Sequence, residues 1–572
     1  MHPFKDIAAD CRHINVAAKL HFHFAAVIDA SASSPAAAHS LKQWSSGRSI
    51  GKHRICERDV KCGTRPYLDS HWKPWRVDRA NGHQAPPMED RRMISLKDYT
   101  AHDGLGLADL VARKEVTTDE LAAAALEAVA KVNPRINAVL HTLPGAAAES
   151  RDGLPHGPFA GVPFMIKELV LHAKGVRCEM GSKLVEGFVP DADTELMARF
   201  RRAGLRLAGT TQTPEFGYNP TTETRAFGPV HNPWDLGRSA GGSSGGSGAA
   251  VAAGIVPIAH ANDGGGSIRI PASCNGLVGL KPSRDRIPSG PDYGDLLCGL
   301  ACEFVLTRSV RDAAGLLDAV AGPDTGAPGH PVPPVRPYRE QIATAPGRLR
   351  IAWTTTPASG DKVDPECEKA VHETVRLLES LGHTLIEDRP RYEWEAFLEN
   401  AHVIWSVFTV TSIDFASAVS NRKPGPDNLE AVTLACYEDG KRYSGTDLVN
   451  AMAYGNLVSR QVGAFFNQVD LLVTPTIAQL PAPLGEINQD RKGMAAMEWT
   501  RQIFSYVPFT PLFNFTGQPA ISLPLHWSAN GLPVGVQIAG RFGDEATLLR
   551  LAAQLEQARP WAARRPPVHA AA

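Results

Sequence analysis

Three short stretches carry residues able to do acyl chemistry: GVPFMIKE with Lys167, SAGGSSGGSG with Ser243 and Ser244, and NDGGGSIR with Ser267. In the last of these, three glycines directly precede a serine. The backbone N–H groups of Gly264, Gly265, Gly266 and Ser267 can therefore turn toward one point and form an anion-binding nest. A serine hydroxyl at such a nest suits attack on a carbonyl while the N–H groups hold the developing oxyanion. Losing one such donor typically costs about 3–4 kcal/mol of barrier. Glycine is needed there because a side chain would keep substrate off the backbone.

A serine nucleophile needs a base. His231 and His260 lie nearby in sequence, but no Asp follows in a triad order, and His260 at the end of an apolar run reads as packed. Lys167 is the better base. Its Phe, Met, Ile and Leu neighbours disfavour the charged amine, which lowers its pKa and leaves a neutral amine able to accept a proton. Against this stands an ordinary lysine whose ammonium snorkels to water from a strand end. The glycine-rich block from Arg238 to Pro282 also admits other readings. It lacks GxxxxGKS/T, and no GxGxxG stands between strand and helix, so it is not a phosphate loop. GxSxG from Gly241 to Gly245 matches a nucleophile elbow around Ser243, but an elbow needs a preceding apolar strand, and NPWDLGRSA does not read as one. A flexible linker fails because Ser247 to Gly254 is an Ala-rich helical run.

Rigid elements must hold these residues. From Thr117 to Leu140 and from Asp193 to Arg206, apolar residues recur at three and four as in amphipathic helices, with TTDE and DTEL as capping signals. Between them, the Val- and Ile-containing run around Lys167, bounded by Gly and Pro, predicts a buried strand. VPIAHAND, RLRIAWTTTP, VDLLVTPT, PAISLPL and GLPVGVQIAG are further strand-like runs. They alternate with helical stretches such as PECEKAVHETVRLLESLG and DEATLLRLAAQLEQA. The alternation predicts a layered α/β protein with a mixed sheet. Residues 390–510 are more helical and rich in Trp, Phe and Tyr, which predicts a cap over a pocket.

The 572 residues, 43% hydrophobic and 21% charged, can bury a large core and exclude a disordered chain; length alone allows up to about four domains. A net charge of -1 gives no electrostatic reason to expect a nucleic-acid or anionic-membrane partner. That balance hides an asymmetry, because residues 1–92 hold 15 Lys/Arg against 9 Asp/Glu and show no sustained period. They read as a poorly ordered basic extension, or as sequence upstream of a start at Met93. Residues 93–565, with neither repeat nor clear linker, read as one catalytic domain, followed by a 566–572 tail. HFHFAAVIDASASSPAAA lies too far in and is too polar for a secretory signal. The uncharged run Ala401 to Ile413 is too short to span a bilayer. Nine cysteines without CxxC read as reduced thiols of a cytoplasmic protein with no zinc site; Cys298 and Cys302 read as structural.

GVPFMIK, SAGGSSGGSGAAVAAG, NDGGGSIRIPASCNGLVGLKP, DLLVTPT and NFTGQPAISLPL with GLPVGVQIAG, in this order from Gly161 to Gly540, resemble the amidase signature family of Ser-Ser-Lys hydrolases. The match covers most of the chain after Met93. The resemblance implies the amidase signature fold, a central mixed β-sheet flanked by helices on both faces with a helical cap region. It implies that Ser267 is the acyl nucleophile, Lys167 the base and Ser243 the relay between them. Ser244 becomes a structural hydrogen-bonding residue, and the Gly242–Ser243 peptide is implied to be cis. Gly264, Gly265 and Gly266 then form the oxyanion hole, with Asp263 and Arg269 expected to pair and brace it. No metal or organic cofactor is required; the expected partners are a small amide and water, and family habit favours a homodimer.

This chain departs from the family pattern at Glu168, where Asp is common, at Asn262, where Thr is common, and at Ser283-Arg284-Asp285, where Thr-x-Gly is common. AHANDGGGSIR and KPSR look like the branch of 6-aminohexanoate cyclic dimer hydrolases and related small-amide or aryl-amide hydrolases. The rival within the family is an amidotransferase-like or catalytically silent subunit, which normally carries a different run after its KPT. Pocket walls are expected from Met180, Gly181 and Ser182, from Tyr293 to Cys302, and from Trp405 to Phe415 or Phe504 to Phe513. Their apolar character favours an aliphatic, cyclic or aryl amide over a charged one.

Overall fold

The Val-, Ile- and Ala-rich runs become strands of one large sheet in the computed structural model, which describes residues 94–143 and 157–572. The extension expected over residues 1–92 lies outside them. The sheet has eleven strands in the order Val139–Thr142, Arg206–Thr211, Pro163–Lys167, Ile258–Asp263, Cys302–Thr307, Val278–Lys281, Ala520–Trp527, Pro533–Gly540, Leu471–Pro475, Arg350–Trp353 and Thr384–Glu387. It is mixed, as expected. Pro163–Lys167 runs parallel to both its neighbours, the three strands ending in Leu471–Pro475, Arg350–Trp353 and Thr384–Glu387 are parallel, and the remaining pairs are antiparallel. Pro163–Lys167 and Ile258–Asp263 are buried at every residue, which is why they read as continuous apolar runs rather than alternating ones.

Helices form separate packed groups around this sheet. Gly245–Ala252 packs with Arg269–Asn275, while Val310–Val320 packs with Glu545–Ala558, Glu195–Arg202 and Gly104–Ala112. The expected caps are in place. Thr117 and Glu120 close a capping box on Thr118–Ile136, and the Thr194 hydroxyl accepts from Met197 N–H at the start of Glu195–Arg202. Residues 566–572 pack back on the body, with Val568 N–H on Pro233 O and Ala570 N–H on Ala253 O, because Val568, His569 and Ala570 are buried.

The cap consists of Trp394–Ser420, Ala431–Gly440, Gly445–Phe465 and Ala496–Tyr506, which pack on one another around an aromatic-rich second core. Some details differ from the sequence reading: the helices expected to reach Leu140 and Arg206 stop at Ile136 and Arg202, and Val139–Thr142 and Arg206–Thr211 are strands. The 390–510 region is not all cap, since Leu471–Pro475 leaves it to enter the central sheet between Pro533–Gly540 and Arg350–Trp353. The run at Ala401–Ile413 is part of a 27-residue helix that is long and apolar enough, by length and composition, to cross a bilayer. Here that helix packs against the other three cap helices and carries Trp405, which lines the cavity described below.

Candidate active site

Lys167 is the last residue of Pro163–Lys167, and Asp263 is the last residue of the neighbouring parallel strand, so the glycine nest begins where that strand stops. The carboxyl ends of parallel strands are where open α/β sheets place ligands. Two loops meet there. Asp235–Ser239 forms a short ribbon with His231–Asn232, so the stretch before the serines is a strand after all, though a half-exposed one outside the central sheet. The chain then turns through Gly241 and a cis Gly242–Ser243 peptide into the helix Gly245–Ala252. Only glycine fits at position 242, because a Cβ there would lie 2.4 Å from Thr221 O and 2.6 Å from Asn219 O.

Lys167 is fully buried, and its Nζ has three neighbours: Ser243 Oγ at 2.7 Å, Ser244 Oγ at 3.1 Å and Asn262 Oδ1 at 2.5 Å. Burial pushes its pKa down to about 7, against the pull of Glu303 and Asp263. The partners order the protons. Asn262 Nδ2 donates to Leu169 O at 2.9 Å, which points its Oδ1 at the lysine, where it can only accept. The Ser244 hydroxyl donates to Asn262 O at 3.3 Å, so toward Lys167 it accepts. A neutral amine has two N–H groups and one lone pair. With both N–H groups taken, the lone pair faces Ser243, whose hydroxyl is left to donate.

The nest is braced from behind. Arg269 and Asp263 form a fork at 2.9 Å on both oxygens, with both side chains fully buried. Burial works against the Asp263 charge, but Arg269 and Asn514 hold its pKa at about 2. Arg269 also reaches Thr510 O, Gln537 Oε1 and Asn514 Oδ1 at 2.6–2.8 Å. Thr510 Oγ1 donates to Gly265 O at 2.7 Å, which fixes the nest itself. The N–H groups of Gly264, Gly265, Gly266 and Ser267 have no acceptor among the described residues. Gly266 has φ +139°, and a Cβ there would meet Thr510 Oγ1 at 2.4 Å.

Ser267 opens onto a cavity of about 360 Å³, lined by Gly217, Tyr218, Asn219, Pro220, Gly265, Ile270, Trp405, Ile503, Phe504, Val507 and Pro511. Trp405 stacks on Tyr218 with ring centroids 5.0 Å apart and planes 10° from parallel. Its indole also covers the nest, lying 3.2 Å from where a Cβ of Gly264 would be. The Tyr218 hydroxyl bonds Thr500 Oγ1, which bonds His402, which bonds Asp439, at 2.8–2.9 Å throughout. Ser243 sits just behind Gly217, its Oγ 3.3 Å from the position of a Gly217 Cβ.

The structure thus gathers Lys167, Ser243, Ser244, Asp263, Arg269, the nest glycines and Ser267 into one place. It does not bring Met180, Gly181 and Ser182 to the cavity wall. Their turn packs against Glu215–Gly217 from behind, with Phe216 N–H on Met180 O and the Ser182 hydroxyl on Glu215 Oε1 at 2.7 Å. A one-residue apolar-plus-glycine signal could not tell a pocket wall from the layer supporting it. Cys302 is buried on its strand, with Cys298 half-buried beyond the cavity lining. His260 is fully buried and hydrogen-bonded to Glu303. Tyr218 had no place in the sequence reading; Asn262 stood out there as a departure beside the nest, Thr510 fell within the expected wall segment Phe504 to Phe513 and Asn514 opened the family motif NFTGQP, but none was given a role of its own.

A buried lysine at the end of a parallel strand, Ser243 and Ser244 against it and Ser267 on a cavity under the cap helices are what the mixed sheet brings together. The family model described as Amidase matches residues 120–549, and the chain belongs to that family, the amidase signature enzymes. The 6-aminohexanoate-cyclic-dimer hydrolase of Paenarthrobacter ureafaciens is 39% identical over 478 residues, covering 81% of this chain and 96% of its own. A solved structure of 6-aminohexanoate cyclic dimer hydrolase matches with a TM-score of 0.78 at 38% identity, covering 82% of this chain and 99% of that one. A bacterial aryl acylamidase of the amidase signature family matches with a TM-score of 0.72 at 25% identity, covering 80% and 96%. The family and the fold are those the motifs implied.

Proposed function

We propose that the protein hydrolyses the carbon–nitrogen bond of a small aliphatic, cyclic or aryl amide through an acyl-enzyme on Ser267. The observation that carries this reading is the set of partners around Lys167, which leaves its lone pair to the Ser243 hydroxyl. Neutral Lys167 takes a proton from Ser243 as Ser243 takes one from Ser267. Ser267 Oγ then attacks the amide carbonyl, and the nest N–H groups hold the oxyanion. The chain of groups returns the proton to the nitrogen as the carbon–nitrogen bond breaks and the amine leaves. Water, deprotonated through the same relay, attacks the acyl carbon, and the acid departs. The apolar wall of Ile270, Trp405, Ile503, Phe504 and Val507 supports an uncharged substrate body. The relatives named for cyclic-dimer and aryl amides support the same substrate range.

Release of amine from a panel of linear, cyclic and aryl amides by purified protein tests the proposal, together with labelling by a fluorophosphonate. Ser267→Ala is expected to abolish both. Full activity in that variant would overturn the assignment.

A further inference from the structure

A second cavity, of about 340 Å³, lies apart from the one at Ser267 and shares no lining residue with it. It forms where the chain leaves the carboxyl ends of the parallel strands Arg350–Trp353 and Thr384–Glu387, over Leu472 of the adjacent strand, with Phe509 and Phe513 as its far wall. Its polar groups are Thr354, Thr356, Arg389 and Tyr392 at those two strand exits and Thr474 on the adjacent strand. Half-buried Arg389 donates its Nη1 to the carbonyl oxygen of the exposed Thr356 at 3.2 Å, and at this solvent-open rim its Nε and Nη2 have no acceptor among the described residues, nor do the hydroxyls of Thr356 and Tyr392. The nearby Asp388 carboxylate is turned to the Arg389 N–H and to Arg391 instead.

We propose that this cavity binds a small monocarboxylate with an aliphatic or aryl body, its carboxylate on Arg389, Thr356 and Tyr392 and its body against Leu472, Phe509 and Phe513. A guanidinium with two donors unspent matches a carboxylate in geometry, and one cation compensates one negative charge. A phosphate dianion in the same cavity would be left half-compensated against apolar walls. Resting on the function proposed above, such an acid is the chemical class that amide hydrolysis releases. The two cavities meet across Val507–Phe513: Val507 and Pro511 face Ser267, while Phe509 and Phe513 face the second cavity. Between them, Thr510 holds Gly265 and Arg269. Acid in the second cavity therefore bears on the segment that fixes the oxyanion nest, and inhibits without competing with substrate.

The test is calorimetric titration of the full-length Ser267→Ala protein with hexanoate, hexylamine and inorganic phosphate. Hexanoate is expected to bind saturably and the other two not. Adding Arg389→Gln should weaken hexanoate roughly tenfold or more, with Thr356→Val weakening it in the same direction. Adding Trp405→Ala, in the other cavity, should leave it unchanged. In otherwise native enzyme, Arg389→Gln should keep kcat/KM and lose inhibition by hexanoate. Absence of saturable binding, equal binding of hexylamine or phosphate, a folded Arg389→Gln protein with unaltered affinity, or a loss on Trp405→Ala equal to that on Arg389→Gln would each overturn the proposal. An enzyme that cleaves no amide would overturn the proposed function alone, because the Ser267→Ala titration does not depend on turnover.

Discussion

At the scale of single residues, the proposed relay makes the lysine set the pH dependence. As its base, Lys167 would have to be neutral, and burial brings its pKa to about 7. kcat/KM on a neutral amide should therefore rise about tenfold per pH unit below that value and level off above it, as a pH–rate profile will show. Ser267→Ala should lower kcat to the detection limit, by roughly a millionfold if the serine acts as nucleophile, with the melting temperature little changed. The nest glycines should respond unequally. At Gly266 an alanine Cβ would meet Thr510 Oγ1 at 2.4 Å on a positive-φ backbone, whereas at Gly265 the nearest atom is Trp405 Cζ2 at 3.7 Å. Gly266→Ala should lose activity by about a hundredfold or more through displaced donors, with Gly265→Ala far milder, when kcat is compared.

Among elements, the helix Trp394–Ser420 borders the cavity through Trp405, and the loop after it leads to a buried carboxylate pair. Trp405 and Tyr218 form one wall of the cavity, and the hydrogen bonds through Thr500 and His402 hold Tyr218 in place. Trp405→Ala should shift kcat/KM toward bulkier acyl groups, measured as a ratio between branched and unbranched amides. Behind that wall, Glu215 and Glu430 are buried together. Glu215 Oε2 accepts from Glu430 N–H at 2.8 Å, Glu430 Oε1 accepts from Arg225 N–H at 2.7 Å, and the other Glu430 oxygen has no partner among the described residues. Burial, and for Glu430 the Glu215 charge and Asp490, raise both above the usual carboxylate range, with Arg225 the opposing cation. The fold thus binds a proton that the unfolded chain has already released. The stability this contributes is complete below the unfolded carboxylate pKa and is lost as pH rises through the raised values. Glu430→Gln should accordingly raise the melting temperature by a few °C at pH 8 and by less at pH 5, since each pKa unit relieved is about 1.4 kcal/mol.

Over the whole molecule, the Asp263–Arg269 fork joins parts of the chain far apart in sequence. Arg269 binds the end of one central strand, Gln537 in another, and Thr510 and Asn514 in the segment that roofs the nest. Arg269→Met would leave a buried carboxylate uncompensated, at a cost of roughly 3–5 kcal/mol, and thermal unfolding should show a large fall where Ser267→Ala shows none. What was legible in the sequence follows from the range of the forces involved. Apolar period, capping residues and glycine turns act over a few residues, and so the strands at Lys167 and Asp263, the capped helices and the glycine-serine turns could be read directly. The excursion of Leu471–Pro475 from cap to sheet could not, because its pairing partners lie over a hundred residues back in the chain or some sixty residues ahead. The same holds for the stacking of Trp405 on Tyr218, and for the turn at Met180–Ser182, whose composition suits a wall and whose position is behind one. By itself the sequence determined the family, the α/β frame and the lysine and serines on offer, since each is written in contiguous residues. Only the tertiary structure decided which hydroxyl faces the lysine lone pair, how far burial lowers that lysine's pKa and which aromatics line the cavity at Ser267. Desolvation and hydrogen-bond direction depend on groups that meet only once the chain has folded.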